Sequence, residues 1–156
     1  LSTCGIVPQI YRLAEEGLPI TLAISLHAPN DIIRNRILPS SRNFKIEDVV
    51  KAAHHYFKTT GRRVTFEYIL IKDVNGSKEN AEELCRLVGK MNCHFNLIPI
   101  NGTEHIQLFP PSWKEVKAFQ DILEKNGKST TVRRQMGDEI QAACGQLKRR
   151  YLKNGD

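Results

Sequence analysis

The sequence has no Cys-x-x-Cys pair; its four cysteines, Cys4, Cys85, Cys93 and Cys144, stand far apart. No Cys/His spacing suits a structural zinc site, and a disulfide framework is not expected in a domain of this size. Reduced thiols and a cytoplasmic setting are the expectation. No stretch approaches the ~18 uninterrupted apolar residues of a membrane span, and no basic segment precedes an apolar one at the start, as a secretory leader requires. Repeats, linkers and low-complexity segments are missing. So is any Gly-rich phosphate loop of the usual patterns, which argues against a β/α-barrel enzyme for small phosphorylated metabolites.

What remains is a chain of 156 residues, 40% hydrophobic and 26% charged. These values fit one domain burying roughly 70% of its unfolded surface. The net charge of +6 permits a polyanionic partner. The basic residues Arg34/Arg36, Arg62/Arg63, Arg133/Arg134 and Lys148-Arg149-Arg150 are dispersed, so any RNA footprint has to be assembled by the fold.

Two periodicities alternate along the chain. Pro8 suits the first turn of a helix carrying Ile10, Leu13 and Ala14, ended by Gly17. Ile20 to His27 alternates as a strand. Helical spacing returns at Ile46, Val49, Val50, Ala53, Tyr56 and Phe57, closed by Gly61. Val64 to Ile71 reads as a strand followed by an Asn75-Gly76 turn, and Ser77 as the cap of a helix with Ala81, Leu84, Cys85 and Val88 inward. Cys93 to Ile98 is a strand, so Cys85 and Cys93 are expected in the core. Ser112 and Glu115 form a capping box ahead of Trp113, Val116, Phe119, Ile122 and Leu123. Ser129 to Arg133 is a further strand, and Asp138 begins a final helical pattern.

Strands alternating with helices imply βαβ units and a parallel sheet. Residues 1–156 are expected to form one α/β domain. Leu1-Ser2-Thr3 reads as the tail of a further strand, so the expectation is a partial (β/α) barrel whose first strands are missing. Its open sheet edge would favour self-association, which a light-scattering concentration series would reveal. Ser2-Thr3, Ser25 to His27, Asn101 and Arg133-Arg134 each fall at the carboxyl end of a strand, the rim where such sheets build their sites. Glu67 is expected to point to the inner face, where an unpaired carboxylate is costly; a salt bridge to an Arg or Lys is the favoured reading, and a role in binding the alternative. His54 and His55, mid-helix, are read as non-catalytic.

Three strings go further: Ser25-Leu26-His27-Ala28-Pro29-Asn30, Asn96-Leu97-Ile98-Pro99-Ile100-Asn101, and Gln141-Ala142-Ala143-Cys144-Gly145-Gln146-Leu147. With them the chain resembles, over essentially its whole length, the radical-SAM RNA adenosine methyltransferases (the RlmN/Cfr family). The resemblance implies a radical-SAM barrel that methylates an adenine ring carbon in large-subunit ribosomal RNA. Carbon 2 is favoured over carbon 8, and transfer RNA is a second candidate substrate. It implies that Cys144 takes a methyl group from one S-adenosyl-L-methionine. A 5′-deoxyadenosyl radical, made from a second molecule at a [4Fe–4S] cluster, then activates that methyl group for addition to the adenine. By motif, Ser2, Ser25, Leu26, His27 and Asn101 become cofactor contacts. The family's three-cysteine cluster signature is absent, and no trio of cysteines here has its spacing, so the stretch on its own is expected to be inactive. The alternative is a non-catalytic basic module that binds RNA.

Cys144 has a plainer reading as well. Ile140, Ala143, Cys144 and Leu147 repeat at helical spacing, which by itself makes Cys144 a buried structural thiol. Gly137 and Gly145 weaken a helix there, and Arg133, Arg134 and Lys148 stand near enough in sequence to favour thiolate. The family string makes Cys144 the methyl carrier.

Overall fold

The structure is a computed structural model and describes residues 1–101 and 108–133. Five strands form one sheet in the order β1-β2-β3-β4-β5: β1 (Ser2–Thr3), β2 (Ala23–Ser25), β3 (Val64–Leu70), β4 (Cys93–Pro99) and β5 (Ser129–Val132). Every neighbouring pair is parallel. Helices α1 (Val7–Glu15), α3 (Ile46–Thr60), α4 (Lys78–Val88) and α5 (Trp113–Lys125) make the long crossovers; the short α2 (Asp31–Ile37) follows β2. The alternation read from the sequence is therefore the α/β architecture observed.

The core lies between the helices and one face of the sheet. Along β3, Val64, Phe66, Tyr68 and Leu70 are fully buried, whereas Thr65, Glu67 and Ile69 are half-buried. β4 repeats the pattern with Cys93, Phe95 and Leu97 against His94, Asn96 and Ile98. Successive strand residues face opposite sides, so one side buries its apolar set and the other is mainly polar, with Ile69 and Ile98 toward its carboxyl end. Each large apolar side chain so buried contributes about 1.5–3 kcal/mol. Phe66 stacks obliquely on Phe95 with ring centroids 5.4 Å apart, and Tyr68 on Phe119 at 5.2 Å. Cys85 and Cys93 belong to this core, as expected.

Local chemistry sets the helix ends. Gly61, at φ 67°, closes α3 in the left-handed conformation that glycine adopts without a Cβ penalty. Ser77 and Ser112 each accept a bond from the third residue of their helices, and Asn80 and Glu115 reach back to complete capping boxes.

Three sequence expectations change. β2 is three residues rather than Ile20 to His27: the Ile20 carbonyl is taken by the Tyr56 hydroxyl at 2.8 Å, and the chain turns at His27. β1 therefore registers with two of the three residues of β2, Ala23 and Ile24. Helix α2 was not anticipated, although Asn30 caps it by accepting from the Ile33 N–H at 3.0 Å. Trp113 opens α5 at 67% exposure rather than facing inward, because the apolar stripe starts one turn later at Val116.

Candidate functional site at the carboxyl rim of the sheet

Parallel register fixes which side chains share the polar face. Ser2 pairs with Ala23, and Ser25 pairs with Glu67, which pairs with Asn96, which pairs with Thr131. Ser2 and Ser25 thus lie on the same face, one row apart on neighbouring strands. His27 follows two residues after Ser25, and Asn101, half-buried, follows two residues after β4. Leu26 faces the other way and is fully buried; its N–H donates to the Glu67 carbonyl and its own carbonyl accepts from Arg34. Cys144 and Arg134 lie outside the described residues, as does the helical pattern from Asp138.

His27 is the most constrained of these. Its φ of 61° places a non-glycine residue in the left-handed region, at a cost of roughly 1 kcal/mol. Its Nδ1 accepts from the Ile69 N–H at 3.2 Å, so a neutral ring carries its proton on Nε2. Burial first, and then the nearby Arg34 guanidinium, lower its pKa to about 4, against a smaller opposing pull from the Glu67 backbone. At neutral pH His27 is an uncharged donor. The folded pKa lies below the ordinary value of 6.5, so between pH 6.5 and about 4 the unfolded chain binds a proton that the folded chain refuses. Stability is expected to fall across that window and level off below it. Proton NMR of the imidazole checks this, and a His27 midpoint near 6.5 would refute it.

Two buried polar side chains that sequence reading did not single out hold the rim in shape. Arg34, 1% exposed, sends Nε to the Leu26 carbonyl at 3.2 Å and Nη2 to the Cys4 carbonyl at 2.6 Å and the Ser25 carbonyl at 3.5 Å. It ties the end of β1 to the end of β2. Burial lowers its pKa, partly offset by Asp31. Of the dispersed basic pair Arg34/Arg36, Arg34 is therefore not available to a polyanion, because its guanidinium is used internally. Gly5 permits the tie: it is buried at φ 93°, and a Cβ there would stand 2.9 Å from the Val49 methyls and 3.3 Å from Arg34 Nη2. That steric limit accounts for the glycine after Ser2-Thr3-Cys4.

Asn75 does the same between β2 and β3. Fully buried, it donates to the His27 carbonyl at 2.8 Å and the Ile69 carbonyl at 2.6 Å, and accepts from the Ile71 N–H at 2.8 Å. The Asn75-Gly76 turn was legible in the sequence, but the inward reach of the amide was not. Asn pairs often with Gly in turns, and in most of them its side chain bonds only locally.

The polar face carries a ladder. Asn96 Nδ2 donates to Glu67 Oε2 at 2.9 Å, the Thr131 hydroxyl donates to Asn96 Oδ1 at 3.3 Å, and the His94 ring nitrogens lie 3.0 Å from the hydroxyls of Thr131 and Ser129. Glu67 does point to this face, but the salt bridge expected for it is not formed among the described residues. Asn96 is its partner, because the neighbouring strand places an amide, not a cation, in register. The two ion pairs among the described residues, Lys51–Asp48 and Lys117–Asp121, are surface pairs on helices.

No family model matches the chain. Curated relatives do. The chain is 51% identical over 154 residues to a probable dual-specificity RNA methyltransferase RlmN of Clostridium tetani, covering 99% of this chain and 44% of the relative. It is 49% identical over 154 residues to the protein of the same name from Clostridium novyi, covering 99% and 45%. Among solved structures, a radical SAM methyltransferase from Sphaerobacter thermophilus superposes with a TM-score of 0.87 at 48% identity, over 93% of this chain and 42% of the other. A domain of pyruvate-formate lyase-activating enzyme from Bacteroides vulgatus shares the fold alone, at 15% identity and a TM-score of 0.52. The chain spans less than half the length of the curated relatives it matches, and across nearly all of its own length it belongs to the RlmN-like radical-SAM methyltransferase family.

Proposed function

We propose that this stretch forms the part of a radical-SAM RNA methyltransferase that lines the S-adenosyl-L-methionine site and carries the methyl-accepting thiol, Cys144. The observation that supports it most is the shared rim: Ser2, Ser25 and His27 stand on adjoining strand ends, with Asn101 two strands further along. A nucleoside cofactor offers ribose hydroxyls and ring nitrogens. Two hydroxyls, an amide and a neutral imidazole N–H are donors and acceptors of matching kind, and none brings a positive charge against a sulfonium. The residues present therefore fit that cofactor, with the side chains of Ser2, Ser25, His27 and Asn101 holding it; the backbone groups of Leu26 are already bonded to Glu67 and Arg34. When bound, it supplies the methyl group and, after reduction, the radical chemistry that the protein itself lacks.

The cluster is a different case. Among the described residues no group of three His, Cys, Asp or Glu side chains is placed to hold a metal. Cys4 is exposed, while Cys85 and Cys93 are buried in the core. The described residues do not fit a [4Fe–4S] cluster, and no step is derived through it.

The reading extends to substrate. Carbon 2 of an adenine in large-subunit ribosomal RNA is the proposed target, with transfer RNA as a second substrate class. The exposed Arg36, Arg62, Arg63 and Arg133 supply cationic surface for phosphate contacts. The test is a methylation assay on ribosomal RNA, with nucleoside analysis of the product. The full-length protein carrying this stretch, cluster reconstituted, should yield 2-methyladenosine, and the stretch alone should yield none. A reconstituted enzyme that gives no methylated adenosine, or a stretch that methylates by itself, would overturn the proposal.

A further inference from the structure

Glu67 is a half-buried carboxylate on the polar face, one strand from Ser25 and in register with it. Adjacent strands run ~4.8 Å apart, so two registered side chains on one face are direct neighbours. One carboxylate oxygen, Oε2, is held by Asn96 Nδ2 at 2.9 Å, and Thr131 in turn donates to Asn96 Oδ1. The acceptor-only carboxylate calls for the amide NH₂ on its side, and the Thr131 hydroxyl accommodates the amide oxygen on the other. The carboxylate is thus oriented by a neutral ladder and has no Lys or Arg within ion-pair distance among the described residues. A carboxylate kept half out of water without a cation is costly unless a positive group arrives from elsewhere.

Resting on the cofactor reading above, we propose that Glu67 is the counter-charge of the site, with Asn96 as its positioning residue. Its free oxygen would face the cationic portion of S-adenosyl-L-methionine. This role goes beyond the Ser25, His27 and Asn101 contacts, which can recognise a nucleoside of any charge. Glu67 would instead select the charged sulfonium cofactor over its demethylated, sulfonium-free product, S-adenosylhomocysteine. Product would leave the site more readily than substrate for this reason.

The experiment is equilibrium dialysis of both compounds against the reconstituted full-length protein, wild type and Glu67→Gln. Gln keeps the size and still accepts from Asn96, so folding should survive. The variant is expected to lose roughly tenfold to a hundredfold in affinity for S-adenosylmethionine and less than about threefold for S-adenosylhomocysteine. Asn96→Asp, which sets a second carboxylate against Glu67, serves as the second variant and should also change the ratio of the two affinities. Equal losses for both compounds, or no loss, would overturn the inference. So would a Glu67→Gln protein whose cofactor-free melting temperature falls while its affinity ratio stays at the wild-type value; that result would assign Glu67 a purely structural role in the ladder with Asn96. If the wild type bound neither compound, the cofactor reading itself would fall, a result distinguishable from all of these.

Discussion

With Cys144 as the proposed methyl carrier, Cys144→Ala in the full-length protein is expected to abolish RNA methylation, while the proposed cluster assembly and reductive cleavage of S-adenosylmethionine survive. Adenine ring carbons 2 and 8 are electron-poor and do not attack a sulfonium methyl as nucleophiles, so the methyl group needs a carrier, and alanine offers none. Loss of the group that forms the covalent bond costs on the order of 10⁴-fold or more where no other group can stand in. The remaining thiols are poor substitutes. Burial raises the Cys93 pKa to about 11 and also raises that of Cys85, so neither presents appreciable thiolate at neutral pH. Cys85→Ala and Cys93→Ala should accordingly retain methylation and lose stability instead, by roughly 1–3 kcal/mol through lost packing. Product analysis by mass spectrometry separates these outcomes. Methylation that persists in Cys144→Ala would mean another cysteine, with the exposed Cys4 the first to examine.

Much of this architecture was legible because one face of the sheet is buried and the other is not. The alternation at Val64 to Leu70 and at Cys93 to Leu97 states directly which residues meet the helices, and Glu67 follows as an inner-face residue by parity. Capping boxes at Ser77 and Ser112 are local chemistry and survive into the fold unchanged. What escaped the sequence was long-range and polar. Arg34 reads as a surface base, since arginine is seldom fully buried; only the carbonyls converging from the ends of β1 and β2 make its burial tolerable. Trp113 falls in the apolar spacing of α5, but its place in the first turn turns it outward. The partner of Glu67 could not be guessed, because register between β3 and β4 is a tertiary fact. The rim motifs carried the proposed site residues through family resemblance, whereas the clamps that shape the rim carried no recognisable string.

The second large effect is expected at one of those clamps. Asn75→Ala would strip three hydrogen bonds from a fully buried amide and leave the Ile71 N–H and the carbonyls of His27 and Ile69 short of partners. Each such group costs about 1–3 kcal/mol when no water reaches it. Relaxation of the turn into the space left by the carboxamide limits the sum, so a net loss of about 3–5 kcal/mol is expected, a large share of the 5–15 kcal/mol that typically holds a domain. Asn75→Asp should be at least as damaging. It retains the acceptor for Ile71 but cannot donate, and sets a carboxylate against two carbonyl oxygens. The Tyr68 hydroxyl, which donates to the Asn75 backbone carbonyl at 2.9 Å, would hold the turn in place without restoring those bonds. Urea denaturation of the two variants beside the exposed control Asn92→Ala measures the difference. A loss below about 1 kcal/mol for Asn75→Ala would show that water enters the clamp. The left-handed conformation of His27 would then depend on its own ring bond to Ile69 rather than on Asn75.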